Sequence, residues 1–134
     1  EFEKRTASLF GKKMGLFVNS GSSAILLALA ALDLPKGSEV VTPACGFATT
    51  VAPIIQLGLI PKFCDVELNT YVPAPYQVVA AVTHRTKCII IPNLIGNVPC
   101  GYNNTDREYT YQYNKFLCES CYNGWWYWWY GHVQ

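Results

Sequence analysis

The sequence predicts an α/β fold with a mostly parallel sheet and helices on both faces. Two observations carry this. Apolar runs of strand length, at Glu39–Pro43, Ile60–Val66 and Lys87–Pro92, alternate with helical segments at Ala24–Leu32, Ala48–Leu57 and Pro75–Val82. The chain of 134 residues is also the size of one domain and long enough to bury a core. Sheets of this kind bind ligands at the carboxyl ends of their strands.

In chain order, residues 2–10 form a short amphipathic helix, with Phe2, Leu9 and Phe10 apolar and Gly11 as its stop. Met14–Val18 is an apolar run before a turn and is expected to be a strand. Asn19-Ser20-Gly21-Ser22-Ser23 is expected to be a loop that runs into the helix AILLALAAL, whose Ala/Leu content favours helix over strand. That helix ends at Asp33–Gly37, and Glu39–Pro43 follows as a strand. After it come a helix over Ala48–Leu57, a strand over Ile60–Val66 and a helix over Pro75–Val82, with proline at the start, where it is tolerated. Lys87–Pro92 is a buried, isoleucine-rich strand. Arg107–Tyr113 is expected to be helical and Phe116–Glu119 a strand.

The net charge of +1, with 14% charged residues, gives no reason to expect nucleic acid or an anionic membrane as partner. The longest apolar stretches are too short to span a bilayer, and the opening EFEKRTASLF is not a signal peptide. Six cysteines do not make a dense disulfide framework, and Cys45, Cys64 and Cys88 are expected to be free thiols, which places the chain in the cytoplasm. The start on Glu1 suggests a partial chain.

Val18-Asn19-Ser20-Gly21-Ser22-Ser23-Ala24 is a strand end, a small-residue turn and a helix start. Such a turn presents backbone N–H groups and the positive end of a helix dipole to an anion. Taken alone, serines here are more often a simple cap. Further on stand Thr42-Pro43-Ala44-Cys45-Gly46-Phe47-Ala48-Thr49-Thr50-Val51, Pro61-Lys62-Phe63-Cys64-Asp65-Val66, Thr86-Lys87-Cys88-Ile89-Ile90-Ile91-Pro92 and Leu94-Ile95-Gly96-Asn97. In order and spacing, from about residue 2 to residue 99, these motifs resemble the DegT-type sugar aminotransferases. Within that family, GFATTVAPIIQLGLIP followed by the IGN loop is most similar to the sugar 3-dehydratase branch.

The resemblance implies the N-terminal part of the large pyridoxal-phosphate-binding domain of the aspartate aminotransferase fold. It implies pyridoxal 5'-phosphate or pyridoxamine 5'-phosphate as cofactor, and a 4-keto-6-deoxy nucleotide sugar as substrate. The reaction would be 3-dehydration or transamination in deoxysugar or lipopolysaccharide biosynthesis, in a homodimer with shared active sites. Gly21, Ser22 and Ser23 would hold the cofactor phosphate, with the Ser22 hydroxyl as a further donor. Phe47 would cover one face of the pyridine ring, where an aromatic excludes water and fixes ring orientation. Without the family, Phe47 reads as a core residue at a helix start. Asn97 would face the substrate, and Asp65 would be structural. Lys87 reads as a surface lysine before a buried strand rather than a nucleophile, and His84 as an exposed turn residue.

The chain departs from the family's pattern at Glu119-Ser120-Cys121, where the family carries an Asp that pairs with the pyridine nitrogen. The Schiff-base lysine, or the histidine that replaces it in dehydratases, has no match either, so no catalytic residue is assigned and the chain is expected to be inactive alone. All four tryptophans fall between Trp125 and Trp129, and seven of nine tyrosines lie at Tyr102 or later. Tryptophan has one codon, TGG. Read one base later, Trp125-Trp126-Tyr127-Trp128-Trp129 becomes a glycine-rich stretch of the kind expected after this strand. We therefore read residues 1–121 as the partial domain and 122–134 as an aberrant aromatic tail behind a frameshift near Cys121. The competing reading is a non-catalytic carbohydrate-binding module that uses the Trp/Tyr cluster. Cys118–Cys121 is a C-x-x-C without a second pair at zinc spacing.

Overall fold

The computed structural model describes residues 1–9 and 11–97, together with the backbone of a strand at 115–118. The expected helix at 107–113, the Trp/Tyr cluster and the side chains of the Cys118–Cys121 pair lie outside these residues.

A single sheet holds four strands: β1 (Glu39–Pro43), β2 (Ile60–Cys64), β3 (Thr86–Ile91) and β4 (Lys115–Cys118). Their spatial order is β2-β1-β3-β4. β1 pairs in parallel with β2 and β3, and β4 lies antiparallel to β3. The mostly parallel sheet is therefore present, with an antiparallel strand at one edge. The register of β1 against β3 shifts between Glu39 and Val40, which lets Lys87 fall out of step inside β3. Lys87 thus belongs to the strand rather than preceding it.

Strand alternation divides the sheet between two cores. Val40, Cys88 and Ile90 point to one face, where they meet Leu29 of α2 (Gly21–Ala31) and Ile54 of α3 (Ala48–Gln56). Val41 and Ile91 point to the other face and meet Val78 and Ala81 of α4 (Pro75–Ala81). Helices thus cover both faces, as the pattern predicts. The aliphatic side chains Leu29, Val40, Ile54, Val78 and Ile90 are at most 1% exposed.

At the amino end of β1, Glu39 is buried and doubly held. The Thr83 hydroxyl donates to its Oε2, and Arg85 pairs with its Oε1 at 2.6 Å. The Thr83 hydrogen bond does most to hold the Glu39 carboxyl below the usual carboxylate range. Burial opposes this, and the charges of Arg85 and Lys62 reinforce it.

The N-terminal segment differs from expectation. α1 (Phe2–Leu9) forms and stops at Gly11, whose φ of +63° is a left-handed conformation. Met14–Val18, however, is not a strand of the sheet. It folds back on α1: the Phe2 and Phe17 rings meet edge to face at 5.0 Å, and the Phe17 N–H donates to Glu3 Oε1 at 2.8 Å. Gly15 lies so close to α1 that a Cβ there would come within 3.3 Å of the Glu3 carbonyl. The apolar run packs on the helix through Phe17 and leaves Met14 and Leu16 exposed.

Among the described residues, no helix is long and apolar enough to cross a membrane. No group of His, Cys, Asp or Glu there could hold a metal ion.

Candidate functional site

The site is built at the carboxyl edge of the sheet. α3 runs into β2 through residues 57–59, and α2 runs into β1 through residues 32–38. Because β1 and β2 are parallel, both helices end at the amino edge of the sheet. Their N-termini therefore point toward the carboxyl edge. An α-helix of the length of α2 and a five-residue strand both span roughly 16 Å, so the start of α2 comes level with the end of β1.

α2 begins three residues earlier than its Ala/Leu run suggests. Ser20 is the N-cap, in an extended conformation, and its Oγ accepts the Ser23 N–H at 3.2 Å. The Ser23 hydroxyl in turn donates to Asn19 Oδ1 at 2.7 Å. Gly21, Ser22 and Ser23 are thus the first helical turn rather than a loop. Among the described residues, none accepts a hydrogen bond from the N–H of Gly21 or Ser22. These are the orphan donors of a helix start, at the positive end of its dipole. Ser22 is exposed and Ser23 half-buried.

Phe47 is the N-cap residue of α3, and it is 72% exposed. It is not a core residue. It walls a cleft of about 470 Å³ at the carboxyl ends of β1 and β3, together with Thr42, Pro43, Cys45, Val51, Phe63 and Pro92. The walls are largely apolar, with one exposed aromatic face, a shape suited to a flat heterocycle. At the inner wall, Thr42 is 1% exposed, and its Oγ1 has no hydrogen-bond partner among the described residues. Sequence reasoning gives Thr42 only a place in a motif. A threonine between Val41 and a strand-ending proline is the one signal in the sequence that could have marked it.

Neither Gly21–Ser23 nor Asn97 lines this cleft. Asn97 follows the short 3₁₀ turn Leu94–Gly96, and its Nδ2 donates to the Thr70 carbonyl at 2.8 Å. It ties the loop after β3 to the loop after β2, a tether between residues far apart in the chain. Both loops carry a non-glycine residue with positive φ, Tyr71 at 57° and Ile95 at 58°. Asp65 accepts the N–H of Val66 at 2.8 Å, a local turn bond. His84 is exposed in the turn before β3. Lys87 sits near the amino end of β3, about 16 Å along the strand from Pro92 and the cleft.

Of the described cysteines, Cys64 and Cys88 are buried and Cys45 is exposed, and Cys45 and Cys64 are free thiols. Burial pushes the Cys64 thiol up, away from its reactive form.

The start of α2 at Gly21 and Ser22 points toward the carboxyl edge of the sheet, where the exposed Phe47 ring walls the cleft. Residues 1–101 match the DegT/DnrJ/EryC1/StrS aminotransferase family. The dTDP-4-dehydro-2,6-dideoxy-D-glucose 3-dehydratase of Saccharopolyspora spinosa is 48% identical over 104 residues, covering 72% of this chain and 22% of that protein. The lipopolysaccharide biosynthesis protein RfbH of Salmonella typhimurium is 43% identical over 129 residues, covering 90% of this chain and 29% of that protein. Among solved structures, the E. coli GDP-4-keto-6-deoxy-D-mannose-3-dehydratase with bound hydrated pyridoxal phosphate superposes with a TM-score of 0.61. It is 40% identical, over 66% of this chain and 24% of that one. The chain spans about a quarter of the length of these relatives.

Proposed function

The chain belongs to the DegT/DnrJ/EryC1/StrS aminotransferase family, and on that premise we propose that it forms the amino-terminal part of the cofactor domain of a nucleotide-sugar-modifying enzyme. The substrate is a 4-keto-6-deoxy nucleotide sugar and the cofactor pyridoxal or pyridoxamine 5'-phosphate. Two of the three relatives above are 3-dehydratases by name, which favours dehydration over transamination. The observation that carries the reading is the cleft at the carboxyl edge, with the exposed Phe47 ring as its wall.

The proposed roles draw on the geometry of the carboxyl edge. The N–H groups of Gly21 and Ser22, with the Ser22 hydroxyl, hold the phosphate at the start of α2, and the cap by Ser20 keeps that turn in place. Ser23 supports them, since its hydroxyl is directed to Asn19. Phe47 lies on one face of the ring and keeps water from it. When bound, the cofactor supplies an electron sink for bond breaking on the sugar. The Asn97 amide nitrogen is engaged with Thr70, so Asn97 serves the substrate through its amide oxygen or by fixing the loop that borders it. Among the described residues that line the cleft there is no carboxylate, histidine, lysine or tyrosine to transfer a proton. The groups that move protons lie outside the described residues, and this chain alone is inactive. We place the enzyme in the cytoplasm, as a homodimer; the free Cys45 and Cys64 thiols support the compartment.

The test uses the full-length protein that carries this chain. Reconstitution with pyridoxal phosphate should give the absorbance of bound cofactor, and the pyridoxamine form should turn over a 4-keto-6-deoxy nucleotide sugar. A purified, folded protein that shows no bound-cofactor absorbance would overturn the reading.

A further inference from the structure

The turn Leu94-Ile95-Gly96-Asn97 holds a residue in a conformation that neither its chemistry nor its burial explains. The turn closes with the Asn97 N–H donating to the Leu94 carbonyl at 3.0 Å. Both central residues have positive φ, 58° at Ile95 and 81° at Gly96. Such a turn takes glycine, asparagine or aspartate at its centre, and a β-branched residue there is strained. Ile95 is also 80% exposed, so no packing within the described structure offsets the strain. Strained backbone persists only where surrounding contacts hold it. Here the half-buried Asn97 supplies one, its Nδ2 donating to the Thr70 carbonyl at 2.8 Å. Thr70 is a firm anchor. The Thr70 and Tyr71 N–H groups donate to the Glu67 carbonyl, the Glu67 N–H donates to the Val72 carbonyl, and Val72 and Ala74 behind them are buried. β1 lies between β2 and β3 in the sheet, so the ends of those two strands stand roughly 10 Å apart. The loops that leave them are drawn together across the end of β1, beside the cleft that Phe63 and Pro92 line.

We propose that Asn97 is a positioning residue for the substrate: its amide locks the Leu94–Gly96 turn to the loop after β2, and the turn so held, with Ile95 exposed, borders the nucleotide sugar. This rests on the function proposed above, and it selects loop fixing over a direct contact by the amide oxygen. Without the tether, Ile95 relaxes to negative φ. Only the fraction of molecules with the turn in place then binds substrate well, so the apparent affinity falls by that fraction. Cofactor binding is not involved, since none of residues 94–97 lines the cleft that Phe47 walls.

The test assays the full-length enzyme in its pyridoxamine form on a 4-keto-6-deoxy nucleotide sugar, beside cofactor titration of the apoprotein by absorbance and thermal melts. Asn97→Ala and Asn97→Asp both remove the Nδ2 donor. Each should raise KM about tenfold, the worth of one net hydrogen bond, with the cofactor dissociation constant within about twofold of wild type. Glycine takes positive φ as readily as negative, so with Ile95→Gly the tether has less to hold. Adding Asn97→Ala to Ile95→Gly should then raise KM less than about threefold over Ile95→Gly alone. A direct contact by the amide oxygen gives other results: Asn97→Asp keeps that oxygen and a near-wild-type KM, and Asn97→Ala raises KM by the same factor in both backgrounds. Either result overturns the inference while the proposed function stands. So does an Asn97→Ala protein that melts lower with KM unchanged, or that loses cofactor binding as steeply as it gains KM, because the tether then serves only the fold. If the wild type binds no cofactor, or turns over no such sugar, the proposed function fails and this inference fails with it.

Discussion

Replacing Phe47 by alanine separates a binding wall from a core residue. A phenylalanine buries on the order of 200 Å² when fully covered. Phe47 is 72% exposed, so roughly 140 Å² of it awaits a partner and little of it holds the fold together. One face of the ring, about 70 Å², stacked on a heterocycle contributes about 1.8 kcal/mol from apolar burial. The geometric preference of an aromatic pair adds about 1 kcal/mol. The expected loss is about 3 kcal/mol, or about a hundredfold in the dissociation constant for pyridoxal phosphate. Stability should barely change. The assay is cofactor titration of the full-length apoprotein followed by absorbance, with urea denaturation of the same samples. Phe47→Tyr should bind nearly as wild type, since the ring is kept. If Phe47→Ala changed binding less than threefold, or unfolded the protein, the ring would not be the wall of the cofactor site.

Three further outcomes follow from the same structure. Ile54 is fully buried between α2, β1 and β3, so Ile54→Ala should cost about 3 kcal/mol and Ile54→Val about 1 kcal/mol, read from urea midpoints. Ser20→Ala removes the acceptor for the Ser23 N–H; it should cost about 1 kcal/mol in stability and loosen cofactor binding further by fraying the turn that holds Gly21 and Ser22. The Glu39 carboxyl is held below its ordinary range, chiefly by the Thr83 hydroxyl. A carboxyl with a lowered folded-state pKa contributes stability above the ordinary glutamate value of about 4.3 and loses it as pH falls through the folded value. The melting temperature should therefore drop below about pH 4, and Glu39→Gln, less stable at neutral pH, should show a smaller drop. A steeper acid drop in Glu39→Gln than in wild type would refute that assignment.

The elements of the layered sheet were legible because each rests on local signals. Ala24–Leu32 reads as helix by composition, and Glu39–Pro43 and Lys87–Pro92 read as strands by apolar runs between turns. Met14–Val18 has the same surface pattern and is not a strand, since the decisive contact, Phe17 on Phe2, joins residues that no periodicity connects. The start of α2 was missed by three residues because Ser20 stabilises a helical turn that Gly21 and two serines disfavour by propensity. Taken alone, Phe47 reads from sequence as a core residue at a helix start, and its exposure overturns that reading. Thr42 had one sequence signal, its place between Val41 and a strand-ending proline, while its lack of a partner is in no residue string. The tether from Asn97 to Thr70 was hidden in the same way, since it depends on two loops being brought together by parallel strands.

The two edges of the sheet differ in how their polar groups are treated, and the difference locates function without appeal to ancestry. At the amino edge, Glu39 is buried with a hydroxyl and a guanidinium on its two oxygens, and its own N–H donates to the Arg85 carbonyl at 3.0 Å. That edge is closed, and its chemistry serves the fold. At the carboxyl edge, the Gly21 and Ser22 N–H groups find no acceptor among the described residues, the Thr42 hydroxyl finds no partner there, and an aromatic ring stands in solvent. Each of these costs stability or solubility in isolation. Open N–H groups and an exposed ring on one edge, beside a buried carboxylate with both oxygens paired on the other, is the pattern expected where a ligand completes the structure. On the proposed reading, the cofactor phosphate would meet the N–H groups and its ring would meet Phe47.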